Sequence, residues 1–139
     1  MPDPVKTRGQ VVIVTGSREW TDREAIYQRL KRYRQRTILL HGDNGNETGS
    51  VGADRIAASV GRELGFQVVG HPYFTDAGKA GGPLRNALLV ALGAAYQKAL
   101  YSVCVEAFPM PASRGTWDCV RRADEALLSV ITGGVERPQ

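Results

Sequence analysis

QVVIVTGSREWTD, residues 10–22, decides the fold. Gln10 to Thr15 is a nearly continuous β-branched run, the signature of a strand buried on both faces, as in a parallel sheet. It stops at Gly16. Thr21 and Glu24 then spell a T-x-x-E capping box, in which each side chain satisfies a free backbone donor of the other. Ile26, Leu30 and Tyr33 follow at i, i+4 and i+7, one apolar stripe of a helix. Strand, glycine turn and amphipathic helix make a first βα unit.

Outward from it the same grammar repeats. Thr37 to Leu40 reads as a second strand ending at His41-Gly42-Asp43, and the Gly- and Asn-rich stretch 44–52 as a loop. Ala53, Ala57, Val60 and Leu64 carry a second helix, stopped by Gly65 at C′. Phe66 to Val69 is a third strand, followed by a long irregular segment from Gly70 to Gly82. Pro83 suits an N1 position and opens a helix to about Ala99 that is apolar nearly all round. Such a helix is buried, inside the domain or against a second copy. Tyr101 to Ala107 is a fourth strand, Thr116, Val120, Ala123 and Leu127 a fourth helix, and Leu128 to Thr132 a last strand. The alternation βαβαβαβαβ predicts an α/β fold: a doubly wound parallel sheet of about five strands with helices on both faces. With no repeat or linker, one domain is expected over 1–139, its ordered core at about 10–132 and its termini short and flexible.

The composition is compatible with this. A chain of 139 residues, 42% of them hydrophobic, has the size of one domain able to bury a core without staples. Two cysteines, Cys104 and Cys119, make no disulfide framework and fit a reducing compartment. No apolar run approaches the roughly 18 residues of a membrane span, and MPDPVKTRGQ lacks a signal-peptide core, so a cytoplasmic protein is expected. The net charge of +4 suits an anionic ligand and is mild for an obligate DNA binder.

Ligands of open parallel sheets bind beyond the carboxyl ends of the strands, where the strand order reverses. The glycines and polar residues gather at those ends: Gly16-Ser17-Arg18 after strand one, Gly42-Asp43 and Asp54 after strand two, Lys79, Arg85 and Asn86 around the third helix start, and Ser113, Gly115 and Thr116 at the fourth. Each is a glycine-bearing turn feeding a helix N-terminus, where free N–H groups and the helix dipole favour an anion. Hydroxyls and cations from the same turns add donors. Walker-A, G-x-G-x-x-G, C-x-x-C and G-x-S-x-G motifs are absent. His41 with Asp43 has no third ligand close by, so no metal site is assigned, and no cofactor is expected beyond a divalent metal left open.

Taken together, GSREWTD, HGD with GADRIA, GKAGGPLRN and SRGT resemble the YspA-related (cpYpsA-like) branch of the SLOG superfamily. That superfamily also holds the Lonely Guy cytokinin-activating phosphoribohydrolases and DNA-processing protein A. The likeness runs from about Val11 to Ile131. It implies a Rossmann-like fold, a site for nucleotides or nucleotide-derived ligands, and a small bacterial or phage protein of conflict or signalling systems. Gly16, Ser17 and Arg18 then look like the first ligand-facing turn, and Gly42, Asp43, Gly52, Ala53 and Asp54 like the second motif, with 44–51 inserted between its halves. Arg85 resembles the arginine at the start of the equivalent Lonely Guy helix. Gly115 and Thr116 resemble the G-T of P-G-G-x-G-T-x-x-E, whose glutamate falls on Cys119 and whose doubled glycine falls on Ala112 and Ser113.

Three readings follow. In the first, the protein senses or sequesters a phosphorylated, nucleotide-derived molecule gripped by Arg18, Lys79, Arg85 and Thr116. In the second, it is a nucleoside 5′-monophosphate phosphoribohydrolase. Cleavage then passes through an oxocarbenium-like state served by Arg85 with Asp118 or Glu106, since Cys119 brings no carboxylate. The third is single-stranded DNA binding through the basic run Arg29 to Arg36 with Tyr27 and Tyr33 interleaved; its bland counterpart is a solvated helix end. Trp20 and Trp117 are weighed as base-stacking or core residues. The apolar helix 83–99 predicts a homodimer, as resemblance to Lonely Guy proteins also suggests.

Overall fold

The computed structural model describes residues 7–43, 51–72, 78 and 81–138. Along the chain it runs β1 (Gln10–Gly16), α1 (Arg23–Leu30), β2 (Ile38–Asp43), α2 (Ala53–Glu63), β3 (Gln67–Pro72), α3 (Gly81–Lys98), β4 (Ser102–Phe108), α4 (Arg114–Glu125) and β5 (Ser129–Ile131). The five strands lie in the order β3-β2-β1-β4-β5, and every pairing is parallel. This is the doubly wound α/β sheet that the alternation predicts.

The period of two along β1 sorts the core into two layers. Val12 and Val14 pack with Leu39 against Ile26 and Leu30 of α1 and Ile56, Ala57 and Val60 of α2. Val11 and Ile13 pack with Leu40, Val103 and Val105 against Leu89 and Val90 of α3 and Cys119 and Ala123 of α4. Because β1 lies between β2 and β4, the chain turns left from β1 to β3 and right from β4 to β5. The reversal of order therefore falls between β1 and β4, whose ends meet at Gly16 and Phe108.

Several local expectations are corrected. The N-cap of α1 is Asp22, whose carboxylate accepts from the Ala25 N–H at 3.0 Å. Thr21 is exposed outside the helix, and Glu24 instead accepts from Gln28. Asp wins because an ionised acceptor suits the helix dipole better than a hydroxyl. Pro83 is the third residue of α3, not its first; a missing N–H costs nothing anywhere in the first turn. Helix α3 buries only one side: Leu89, Val90 and Gly93 face the sheet, while Leu84 stays 50% exposed and Ala91 and Ala95 lie open. Among the described residues no helix is long and apolar enough to cross a membrane. The fraying expected at the N-terminal end falls on residues 1–6, outside those described.

Candidate functional site

A cleft of about 710 Å³ opens at the carboxyl ends of β1 and β4, within the ~300–1,000 Å³ typical of small-molecule sites. Its walls are Thr15 to Glu19 after β1, Asp54 at the start of α2, Gly82, Pro83, Arg85 and Asn86 at the start of α3, and Met110 to Thr116 with Asp118 around the start of α4. Segments far apart in sequence thus share one rim. The topology places them there, because each helix of a parallel sheet begins where the preceding strand ends.

The β1 turn is held firmly. The Ser17 N–H donates to the Phe108 carbonyl at 3.0 Å, and the Ala53 N–H donates to the Ser17 carbonyl at 2.9 Å. The Ser17 hydroxyl accepts from the Glu19 N–H at 3.1 Å. Trp20 leaves the cleft: its ring meets Phe108 edge-on, with centroids 5.5 Å apart, and its Nε1–H donates to the Asp22 carbonyl. Trp117 is half-buried and does not line the cleft. Neither indole lines the cleft.

At α4, Ser113 is the N-cap but makes no side-chain cap. Its hydroxyl accepts from the Met110 N–H at 2.8 Å, closing the preceding turn. The first helical donor of α4 is Trp117, to the Ser113 carbonyl. The N–H groups of Gly115 and Thr116 therefore have no acceptor within the helix. A Cβ on Gly115 would meet nothing within 4 Å, so packing does not demand a glycine there. Thr116 is 3% exposed and forms part of the cleft wall.

On the α3 side, Arg85 lies across Gly42: a Cβ at Gly42 would overlap the guanidinium and come within 2.9 Å of Asp54 Oδ2. The bare glycine is what lets a cation rest on the end of β2. Arg85 Nε donates to Asn86 Oδ1 at 3.3 Å, while its Nη1 is buried with no hydrogen-bond partner among the described residues. Asn86 is a strut more than a ligand contact. Only 3% exposed, it donates through Nδ2 to the Gly115 carbonyl at 3.1 Å and to Asp118 Oδ2 at 3.0 Å, tying the starts of α3 and α4 together.

Asp118 also accepts from Arg121 at 2.8 Å and Arg122 at 3.0 Å. Burial pushes its carboxyl upward, but the hydrogen bonds from Asn86, Arg122 and Arg121 outweigh that and hold it below the ordinary 3.8. It is thus a carboxylate at neutral pH, able to stabilise a cation but not to donate a proton. The folded value is the depressed one, so its stabilisation is complete above the unfolded pKa and is lost as pH falls through the folded one. Asp118→Asn is accordingly expected to flatten the acid limb of a stability–pH curve below about pH 4, measured by denaturant midpoints at stepped pH. An unchanged acid limb would contradict the assignment.

Glu106 is elsewhere. It is 1% exposed under α1, where it accepts from Arg29 Nε and Nη2, each at 3.0 Å, and from the Tyr33 hydroxyl at 2.7 Å. It does not line the cleft. Cys119 is fully buried in the layer under α3 and α4; burial pushes its thiol up to about 11, partly offset by a hydrogen bond with Thr15. It is a neutral thiol behind the cleft wall. Lys79 and residues 44–50 of the 44–51 insertion lie outside the described residues; Asp43 ends β2, and its side chain too is outside them.

Gly16, Ser17, Arg18, Asp54, Arg85, Asn86, Ser113, Gly115, Thr116 and Asp118 are therefore brought to one cleft, with Gly42 beneath Arg85. Sequence reasoning missed Thr15 and the Met110-Pro111 part of the wall. The prolines of F-P-M-P after β4 were the available sign of a fixed loop.

Residues 10–73 match the family model described as the YspA, cpYpsA-related SLOG family. Over 133 residues the chain is 36% identical to the Gene 61 protein of Mycobacterium phage D29, spanning 88% of this chain and 95% of that protein.

Proposed function

The chain belongs to the YspA, cpYpsA-related SLOG family, and from that premise we propose that the switch-point cleft binds a nucleotide-derived, phosphate-bearing small molecule that the protein senses or sequesters. One observation carries the reading: Ser17, Arg85 and Thr116, from three separate turns, line the same cleft. The phosphate sits on the free N–H groups of Gly115 and Thr116, where the α4 dipole favours an anion, and the buried Arg85 Nη1 supplies a charge-assisted donor. Arg18 adds positive charge at the rim, and Asp54 stands toward the sugar or base.

Gly115→Ala separates ligand approach from packing. The added methyl has open space and removes backbone freedom from the unfolded chain, so stability is expected to rise by about 0.5 kcal/mol. It also crowds the anion, so affinity for a nucleoside 5′-monophosphate, measured calorimetrically, is expected to fall. Affinity that rises or holds would contradict the proposed seat. Mass spectrometry of whatever co-purifies with the folded protein identifies the ligand itself.

A second reading, N-glycosidic hydrolysis, is favoured by Asp118, an ionised carboxylate on the cleft wall. Water would add at the anomeric carbon while the base leaves protonated, with Asp118 and Arg85 steadying the charges. Glu106 is withdrawn from this scheme by its pairing with Arg29. Release of free base from nucleoside monophosphates, abolished in Asp118→Asn, is the result this reading requires.

The open side of α3 supports a homodimer. Leu84, Leu88, Ala91 and Ala95 recur at i, i+4, i+7 and i+11, and the alanines allow close approach of a second helix. Ala91 is exposed, so Ala91→Glu is expected to fold normally and to sediment at 15.1 kDa, with the wild type at twice that. A wild-type monomer, or a dimer indifferent to the glutamate, would overturn this surface.

A further inference from the structure

We propose that the turn joining α1 to β2 is a second binding surface, for the phosphate backbone of a nucleic acid. It reads KRYRQR at residues 31–36, with no acidic residue. Lys31, Arg32, Arg34 and Arg36 are all exposed, and none forms an ion pair with a described residue. Their neighbour Arg29 differs, being committed to Glu106. The dipole of α1 accounts for cations in and just after its last turn, but its field fades within that turn. Helix α1 ends at Leu30, so Arg34 and Arg36 lie beyond its reach and need another reason.

The turn is already rigid. The Arg34 N–H donates to Gln10 Oε1 at 2.8 Å, the Thr37 hydroxyl donates to the Arg34 carbonyl at 2.7 Å, and the Arg36 N–H donates to the Gly65 carbonyl at 3.0 Å. A polyanion docking there orders side chains only. The turn leads into the amino end of β2, so it lies at the opposite end of the sheet from the cleft. Three of its four cations are arginines, whose forked donors match phosphate oxygens. The turn's own apolar neighbours do not accompany them outward: Leu30 is buried and the Tyr33 hydroxyl is held by Glu106. The residues of the turn itself therefore offer charge and no apolar wedge or free ring. The contact is with backbone phosphate, without sequence preference, and duplex of higher charge density binds better than single strand.

The test uses the full chain with fluorescent duplex and single-stranded oligonucleotides of mixed sequence, and phosphatidylserine vesicles, across a salt series. Four phosphate contacts give a log–log salt slope of about −3.6 on duplex, and each lost cation reduces its magnitude by about 0.9. Arg36 adopts φ 67, where glycine is unstrained, so Arg36→Gly removes charge without endangering the fold. Combined with Arg32→Gln and Arg34→Gln, it is expected to bring the slope to about −0.9 with unchanged thermal stability. Arg85→Ala is expected to leave oligonucleotide binding intact, so failure here and failure at the cleft are distinguishable. The proposal is overturned by no oligonucleotide binding at low salt, by a triple variant with the wild-type slope, by loss of duplex binding in Arg85→Ala, or by binding to vesicles alone.

Discussion

Arg29→Ala is expected to lower the unfolding free energy by about 3–5 kcal/mol, a large part of the ~5–15 kcal/mol that holds a domain of this size. The reason is what it leaves behind. Glu106 is 1% exposed, and without the guanidinium its carboxylate keeps, among the described residues, only the Tyr33 hydroxyl as partner. Burial, with hydrogen bonds to Cys104 and Glu106, raises the Tyr33 phenol far above its ordinary range, so it stays protonated and donates. One neutral donor does not replace a bidentate cation. Glu106→Ala is expected to cost less than Arg29→Ala, because Arg29 retains 24% side-chain exposure and can turn toward water. Replacing both, Arg29→Met with Glu106→Leu, should recover most of the loss, since an apolar pair carries no desolvation penalty. Denaturant titration of the three variants checks this ordering, which a solvated rim carboxylate at position 106 would not produce. Ligand affinity per folded molecule is expected to be unchanged throughout, because this ion pair lies under α1 and not in the cleft.

The second large effect is at Gly42. A methyl there occupies the space of the Arg85 guanidinium. The obstacle is the end of a flexible side chain, so Gly42→Ala costs only about 1 kcal/mol of stability through local overpacking. Its consequence for binding is greater. Arg85 must leave its seat, and a hydrogen bond to a charged group is worth about 1.5–3 kcal/mol, so nucleotide affinity is expected to fall about 10- to 100-fold. Arg85→Ala removes the same contact by another route. The two substitutions should therefore combine to little more than either alone, as measured by calorimetric titration of the single and double variants. Additive losses would mean that Gly42 and Arg85 act separately.

Much of this fold is legible in the sequence. The β-branched run at Val11 to Val14 announces a strand buried on both faces, and the structure covers it with α1 and α2 on one side and α3 and α4 on the other. Strand ends were harder to read. β2 continues through His41 to Asp43 and β3 to Pro72 because Gly42 pairs with His71 and Asp43 with Pro72; a parallel ladder extends wherever its neighbour runs, whatever the hydropathy. Glycine-bearing turns were visible as turns, but only the strand order brings the one after β1 beside the one after β4. Glu106 misled for a related reason. A carboxylate near the end of an apolar strand reads as a rim residue, and its partners Arg29 and Tyr33 are more than seventy positions away. The capping register of α1 turned on Asp22 against Thr21, which differ by charge and one residue of phase.

The central claim, that anion donors from separate turns act as one seat, is tested most directly by an amide NMR titration with a nucleoside 5′-monophosphate. Saturating shifts are expected at Ser17, Asn86, Gly115 and Thr116 with one common dissociation constant, all weakened together in Arg85→Ala. Shifts confined to other surfaces, or several unrelated constants among these four amides, would contradict it.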